Sequence, residues 1–348
     1  MPRNGRDSKQ LDVLDMPVRK ATLKDVAELC GVSTMTISRF LNNKGFVSNA
    51  VSARIRKAVA ELGYTPNLVA KSLRDNRTLT LGMVITDSSD LLFSRMTKGV
   101  VDAASAEDYS VIITNAQQSG ELQRKSITML LNKRIDGLIL GAPYPLPDEQ
   151  VRELRSHGIP VVILMRTNNQ GIDFVNSDNF KGAYDMLCHI LGMGIRDIHF
   201  INLYHRNPNG EERRVAQRKA MIEHGLPYDE DRMIFSYPSI EAGAEAMREL
   251  LARGVRSGAV VCGGDVLAIG AIEACLAAGV RVPEDIRICG FDDSDMLNYL
   301  KVPLTTMRQD VCGMALNGVR ILLERQRDPG GEQVRMRLPC EMILRQST

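Results

Sequence analysis

From residue 79 onward, short apolar runs rich in β-branched residues alternate with segments of helical period, and this alternation restricts the fold to one class. Amphipathic helices such as 93–107 and 121–132 separate the runs. Strands that recur with a helix between them form parallel sheets covered on both faces. We predict two doubly wound α/β lobes that face each other across a cleft, with strands at residues 79–86, 110–115, 137–141, 160–164, 198–203, 233–237, 258–262 and 286–291.

The first part of the chain is different in pattern and in charge. Residues 1–77 carry fourteen Lys or Arg against seven Asp or Glu, about +7, whereas the whole chain of 348 residues carries +2. The remainder is therefore about −5. A basic end of this size is suited to contacts with phosphate groups, although it does not specify a sequence.

Two short helical patterns, joined by a turn at Gly31, lie within residues 22–41. Thr22 and Asp25 stand where a capping pair would begin the first helix, and Ser33 can cap the second. This is the layout of a helix-turn-helix DNA reader, although periodicity alone also allows an ordinary helical pair with a solvated face. The apolar positions of the two helices are Leu23, Val26, Ala27, Cys30, Ile37, Phe40 and Leu41.

A third helix is predicted after Ser48, and Gly63 ends it. Three small helices can bury one small core. Taken together these segments resemble the lactose-repressor (LacI/GalR) family of bacterial transcription regulators. The resemblance rests on Thr22-Leu-Lys-Asp-Val-Ala, Gly31-Val-Ser, Thr36-Ile-Ser-Arg-Phe-Leu-Asn42, Val47-Ser48 and Leu62-Gly-Tyr-Thr-Pro-Asn67.

The resemblance implies which residues read DNA. Thr34 and Met35 hold the two positions that most vary operator choice, and neither can form a bidentate amide contact to adenine, so we expect hydroxyl, apolar and water-mediated readout. Residues 67–73 resemble the family's hinge helix, which we expect to fold only when two copies pair in the minor groove; a plain linker is the alternative. The candidate DNA-binding residues are Ser33, Thr34, Met35, Thr36, Ser38, Arg39, Asn42, Asn67, Ala70 and Leu73.

The family resemblance continues through the α/β region and implies a core like that of periplasmic sugar-binding proteins. Its motifs include Ser177-Asp-Asn179, Gly264-Asp265, Gly290-Phe-Asp-Asp293 and Pro303-Leu-Thr-Thr306. In that fold the backbone crosses between lobes three times, here near residues 178, 306 and 337. The effector is expected between the lobes, at the carboxyl ends of the strands.

Four residues are candidates for effector binding: Phe93, Arg166, Arg213 and Asp265. For each, a structural ion pair or a core contact is the alternative. Met165-Arg166 replaces the acidic residue that the family often has after the fourth strand, while Ala216-Gln217 and Gly264 also depart from the family pattern. Losing an acceptor and gaining a cation favours a sugar acid or phosphorylated sugar slightly over a neutral sugar.

These assignments divide the chain into four parts. Residues 1–20 form a flexible extension, 21–66 the helix-turn-helix domain, 67–78 the hinge helix and linker, and 79–348 the effector-binding core. We expect lobe 1 to comprise about 79–177 and 307–337, and lobe 2 about 178–306 and 338–348.

Other functional classes fit the sequence less well. The pair Gly192 and Gly194 is better explained as a helix end than as a nucleotide loop, and Asp292, Asp293 and Asp295 are expected to be structural, so no catalytic residue, cofactor or metal site is predicted. A transport-associated binding protein would have no use for residues 22–73. Seven scattered cysteines and the absence of a leader or membrane segment favour reduced thiols in the cytoplasm. The expected partners are double-stranded DNA with a near-palindromic operator, a small-molecule effector and a second copy in a homodimer.

Overall fold

The structure is a computed structural model, and it describes residues 21–41, 46–65, 77–88, 91–166, 171–204 and 207–348. The chain divides into two compact units, Met1–Thr78 and Leu79–Thr348. Four candidate DNA-binding residues, Asn42, Asn67, Ala70 and Leu73, lie outside the described residues, as do the predicted extension and the hinge segment 67–73.

Three helices form the described part of the first unit: α1 (Leu23–Cys30), α2 (Thr34–Leu41) and α3 (Asn49–Glu61). The predicted capping pair is present, because the Thr22 amide donates to Asp25 Oδ2 at 2.7 Å and the Asp25 amide donates to Thr22 Oγ1 at 3.3 Å. Gly31 ends α1 with φ of +62°, a conformation that glycine adopts without strain. The helices enclose a core of Val26, Ala27, Cys30, Ile37, Ile55 and Ala58.

The second unit contains two six-stranded sheets. The strands, in chain order, are β1 (Thr80–Ile85), β2 (Ser110–Asn115), β3 (Gly137–Gly141), β4 (Val161–Leu164), β5 (Asp173–Ser177), β6 (Ile198–Leu203), β7 (Met233–Ser236), β8 (Gly258–Cys262), β9 (Ile286–Asp292), β10 (Thr305–Arg308), β11 (Arg335–Leu338) and β12 (Glu341–Ile343). The helices are α4 (Leu91–Ser105), α5 (Gly120–Asn132), α6 (Asp148–Ser156), α7 (Asn179–Gly192), α8 (Pro208–Glu223), α9 (Ile240–Ala252), α10 (Asp265–Ala277) and α11 (Val311–Arg327), with short 3-10 helices at Glu230–Arg232 and Asp295–Tyr299.

The strand order is β11-β5-β4-β3-β1-β2 in the first lobe and β12-β10-β9-β8-β6-β7 in the second. All described pairings are parallel except that of β10 with β12. Each sheet has a separate buried cluster on each face, which explains why its strands read as continuous apolar runs. The predicted fold class is confirmed, with an antiparallel edge strand that the sequence pattern did not indicate.

The chain passes between the two sheets three times. The first crossing is at Asp178, between β5 and α7. The second follows Arg308, because β10 pairs along its whole length with β9, and the third falls between β11 and β12. The last two crossings therefore lie after the expected boundaries at 306 and 337, since Met307 and Leu338 are both strand residues.

Two further features concern the class of protein. Among the helices of the described ranges, none combines the length and apolar character needed to cross a membrane. The seven cysteines all lie in the described residues and are unpaired, and Cys30, Cys262, Cys275 and Cys289 are buried.

Candidate functional sites

The outer face of α2 presents most of the predicted DNA-reading side chains. Ser33, Thr34, Met35 and Arg39 are exposed, and the Met35 residue is 64% accessible. Ser33 also caps the helix, because its hydroxyl accepts the Thr36 amide at 3.2 Å. Thr36 and Ser38 are half-buried. An exposed apolar side chain beside hydroxyls and a cation suits a major-groove surface better than a helix facing only solvent.

Arg213 lies in α8 with only 4% of its surface exposed. Its Nε donates to Asn179 Oδ1 at 2.9 Å and its Nη1 donates to the Gly263 carbonyl at 2.6 Å. The guanidinium lies 3.5 Å from the centre of the Phe291 ring. Burial lowers the pKa of Arg213, so a nearby negative charge is needed to offset the cost of burying the cation.

That charge comes from Asp292, at the end of β9, whose Oδ1 is 3.8 Å from Arg213 Nη2. The Asp292 side chain remains 20% exposed. Its Oδ1 also accepts Gln309 Nε2 at 2.5 Å, while Gln309 Oε1 is buried and has no hydrogen-bond partner within the described residues. Asp292 is thus a polar group beside Arg213, and Gln309 binds Asp292. Neither was predicted to bind the effector, because the aspartates near the end of this strand were expected to be structural.

Asp265 occupies a different environment from the one expected. It is fully buried at the start of α10, and its two oxygens accept the Ser294 amide at 2.8 Å and the Thr306 hydroxyl at 2.6 Å. Burial, together with the negative charge of Asp292, raises the pKa of Asp265 well above its usual range. These contacts favour the structural alternative for Asp265, because its oxygens already join α10 to the loop after β9 and to β10.

Arg166 follows β4 of the first lobe and reaches the second lobe. Its Nη1 donates to Asn207 Oδ1 at 2.7 Å. Burial, and secondarily the positive charge of Arg213, lowers the pKa of Arg166 to about 10. Within the described residues no carboxylate lies within 4 Å of Arg166. The structure therefore brings two predicted effector residues, Arg166 and Arg213, close enough to repel each other, across the space between the lobes.

The remaining candidates belong to the lobe cores. Phe93 is 7% exposed and packs in the first-lobe core with Met83, Met96 and Ile139, so its contacts favour the core-contact alternative over an exposed platform. Gln217, one of the departures from the family pattern, is buried and exchanges two hydrogen bonds with Asn202 at 3.0 and 3.2 Å. This pair of hydrogen bonds joins α8 to β6.

Asp293 is structural, as expected from the sequence. Its carboxylate accepts Arg308 and Arg345, both at 2.7 Å. In the part of the chain that the structure describes, no group of three or more His, Cys, Asp or Glu side chains is arranged to hold a metal ion.

Two family models match the chain in the regions just described. Residues 22–67 match the model of bacterial regulatory proteins of the lacI family, and residues 187–348 match a periplasmic binding protein-like domain. The first match covers the three helices of the first unit. The second covers most of lobe 2 and the segments that complete both sheets.

Whole-length relatives are named as transcriptional regulators. The chain is 32% identical to the HTH-type transcriptional repressor PurR of Vibrio parahaemolyticus over 93% of its length and 98% of that protein, and 30% identical to the HTH-type transcriptional regulator RegA of Clostridium saccharobutylicum over 94% and 99%. Among solved structures, the transcriptional regulator CelR in complex with cellobiose has a TM-score of 0.72 at 28% identity, covering 94% of this chain and all of that one. The lac repressor dimer bound to operator has the same fold, with a TM-score of 0.85 at 24% identity over 94% and 99%. An exposed second helix, two parallel sheets joined by three crossings and relatives of this kind identify a DNA-binding transcription regulator, and the chain belongs to the lacI family of bacterial regulatory proteins.

Proposed function

We propose that this regulator is a repressor that binds a near-palindromic operator as a homodimer and is controlled by a sugar-like anionic effector, a sugar acid or a phosphorylated sugar, bound between the lobes. Arg166 and Arg213 bind the anionic group, and Asp292 accepts a hydroxyl of the same ligand. The DNA is read by the exposed face of α2, with the hinge residues Asn67, Ala70 and Leu73 in the minor groove.

The observation that carries the effector class is that two guanidiniums, one from each lobe, lie close enough for the charge of Arg213 to lower the pKa of Arg166. Arg166 donates to a neutral amide, has no carboxylate within 4 Å in the described part of the chain and has its pKa lowered by burial and by Arg213. A partly buried cation in this position is destabilised until an anion arrives. Carboxylate and phosphate groups accept charge-assisted hydrogen bonds from two guanidiniums at once, and a neutral hydroxyl does not balance the charge.

The ligands of similar proteins support the sugar part of the proposal. CelR is solved with cellobiose, and a lacI-family regulator from Enterococcus faecium, 26% identical to this chain, is solved with ribose. A sugar ring brings several hydroxyls, which suit the Asp292 carboxylate and the unpaired Gln309 Oε1.

Thermal unfolding of the full chain against four probes tests the effector class. D-gluconate and D-glucose 6-phosphate represent the proposed anions, D-glucose represents neutral sugars, and hypoxanthine represents flat neutral rings that could stack on an arginine. We expect stabilisation by at least one anionic probe and little by the neutral ones. The variant Arg166→Met should lose that stabilisation, while Arg281→Met, which removes a surface arginine paired with Asp285, should retain it. Stabilisation by glucose or hypoxanthine alone would overturn the proposed class.

Selection of bound fragments from genomic DNA tests the repressor part. We expect an enriched near-palindromic site, bound by two copies of the chain, and a changed base preference in Met35→Gln, whose amide can make the bidentate contact to adenine that methionine lacks. Enrichment of no sequence over random competitor at moderate salt would refute operator recognition. A site bound by a single copy would refute the homodimer.

A further inference from the structure

The amino-terminal turns of α8 belong to the second lobe, yet the first lobe binds them at several points. Asn207, which caps α8, accepts Arg166; Asn209 Nδ2 donates to the Met165 carbonyl at 2.9 Å, and Asn209 Oδ1 accepts Asn176 Nδ2 at 3.1 Å. These contacts come from the ends of β4 and β5, next to the first crossing. They form a non-covalent link between lobes in addition to the three chain crossings.

The strongest contact in this link comes from Glu212. Arg337 Nη1 donates to Glu212 Oε2 at 2.8 Å and Arg337 Nη2 donates to Glu212 Oε1 at 2.9 Å, a bidentate pair between β11 of the first lobe and α8 of the second. The pair is partly shielded, since the side chains are 23% and 41% exposed for Glu212 and Arg337. Hydrogen bonding to Glu212 raises the pKa of Arg337, as a stable ion pair should.

Glu212 is the residue immediately before Arg213. The Glu212 side chain is fixed to the first lobe, whereas Arg213 is fixed to Asn179 and to the Gly263 carbonyl of the second lobe. Arg337 lies opposite Asn176 in the β5–β11 register, and Asn176 is the residue that binds Asn209. Asn209 and Glu212 lie three residues apart on α8. They are bound by Asn176 and Arg337, which lie side by side on β5 and β11, so both contacts join the second lobe to the first. Rotation of one lobe against the other would have to break this set of contacts together.

We infer that Glu212 and Arg337 are positioning residues: their ion pair holds the lobes in the closed arrangement in which Arg213 and Arg166 face the same ligand. This inference rests on the proposed function for its meaning, but the closed arrangement itself can be measured without effector or DNA. Loss of the pair shifts the lobes toward an open state and separates the two guanidiniums. An effector that binds both Arg166 and Arg213 also stabilises the closed arrangement, and so compensates in part for loss of the Glu212–Arg337 pair.

The chain contains no tryptophan, so a single introduced tryptophan is a unique fluorescent reporter. Tyr144 follows β3, is partly exposed and lies near enough to Arg166 to influence its pKa. In a Tyr144→Trp background of the full chain, acrylamide quenching measures access to this side of the cleft. Glu212→Gln and Arg337→Gln should each shift the open-to-closed equilibrium by up to about fivefold, the upper end of the range for exposed pairs, and raise quenching. The charge-swapped double variant Glu212→Arg with Arg337→Glu should restore the quenching of the parent.

Glu249→Gln is the matched control. Glu249 is also paired with an arginine, but its partner Arg253 caps the end of the same helix, α9, so loss of this pair should leave quenching unchanged. Far-UV circular dichroism of each variant separates opening from unfolding. Unchanged quenching in both single variants, an equal rise in Glu249→Gln, or failure of the charge swap to restore the parent value would overturn the inference. If neither anionic probe stabilises the chain but quenching responds as expected, the proposed effector class is refuted and the inference about Glu212 and Arg337 stands.

Discussion

Replacement of Asp265 distinguishes a structural carboxylate from a ligand-binding one. Asparagine keeps one acceptor for the Ser294 amide, and its NH2 can donate to Thr306 Oγ1, which is able to accept. Alanine removes both contacts and leaves the Ser294 amide without its acceptor. Each hydrogen bond contributes about 0.5–1.5 kcal/mol net, and a buried donor that loses its acceptor costs about 1–3 kcal/mol. At about pH 4, where Asp265 is protonated in the folded chain, we expect Asp265→Ala to lower the free energy of unfolding by about 2–4 kcal/mol and Asp265→Asn to change it by less than about 1 kcal/mol.

Urea denaturation at several pH values adds a signed test of the same reasoning. Because burial and Asp292 raise the pKa of Asp265 in the folded chain, the native state holds a proton that the unfolded state has lost. The contribution of Asp265 to stability is therefore complete below its unfolded pKa, near 4, and is lost as pH rises through the folded value, by up to about 1.4 kcal/mol per pH unit. Asparagine does not titrate, so the free energy of unfolding of Asp265→Asn should rise relative to that of the parent protein as pH rises through this window.

The response to an active anionic probe completes the test. Asp265→Asn should keep that response, whereas Asp292→Asn should weaken it, because the Asp292 side chain is the one that remains exposed beside Arg213. An Asp265→Asn variant that folds with parental stability but no longer responds would refute the structural assignment of Asp265.

Three further substitutions have expected outcomes set by local geometry. Thr22→Ala removes the cap of α1 and should speed amide hydrogen exchange in residues 23–30 by about fivefold, equivalent to about 1 kcal/mol; unchanged exchange would show that the capping box contributes nothing. Arg325→Met leaves the buried Asp173 carboxylate without its bidentate partner and should lower the free energy of unfolding by about 2–3 kcal/mol in urea at pH 7. An unchanged free energy of unfolding would mean that water replaces the arginine. Gly290→Ala places a methyl group 2.5 Å from Asp265 Oδ1 and should destabilise by about 2 kcal/mol, and a stability equal to that of the parent would show that Asp265 can move aside.

Local structure could be predicted from the sequence wherever neighbouring residues determine it. Thr22, Asp25 and Gly31 set the ends of α1 through contacts within one or two turns, and those contacts are present. The strands of continuous apolar residues were also predictable, because burial on both faces leaves a direct pattern. Four strands, β5, β10, β11 and β12, were not identified. The last three have only three or four residues each, too few to show a period, and in β5 polar residues (Asp173, Asn176 and Ser177) interrupt the apolar run.

For the candidate effector site, the sequence could predict which residues take part but not which groups they contact. Arg166 and Arg213 were identified, but their mutual repulsion depends on packing between residues that are 47 positions apart in the chain. Asp265 and Asp292 are both aspartates at strand ends of the same lobe, and only tertiary structure shows that one points into the protein while the other stays accessible. Sequence pattern gives the position of a side chain along an element, whereas its partners depend on elements far away in the chain.

The order in which the strands join the two sheets has a consequence for synthesis of the protein. The first sheet receives its edge strand from residues 335–338, and the second receives its edge from residues 341–343, with the Ser347 hydroxyl donating to the Ile288 carbonyl and the Ile288 amide donating back to the Ser347 carbonyl. Neither lobe can be completed by a nascent polypeptide while these residues are still inside the ribosome. Apolar surface in both lobes must stay incompletely covered until residues 335–347 have emerged, so the closure of both sheets should follow the emergence of one short segment.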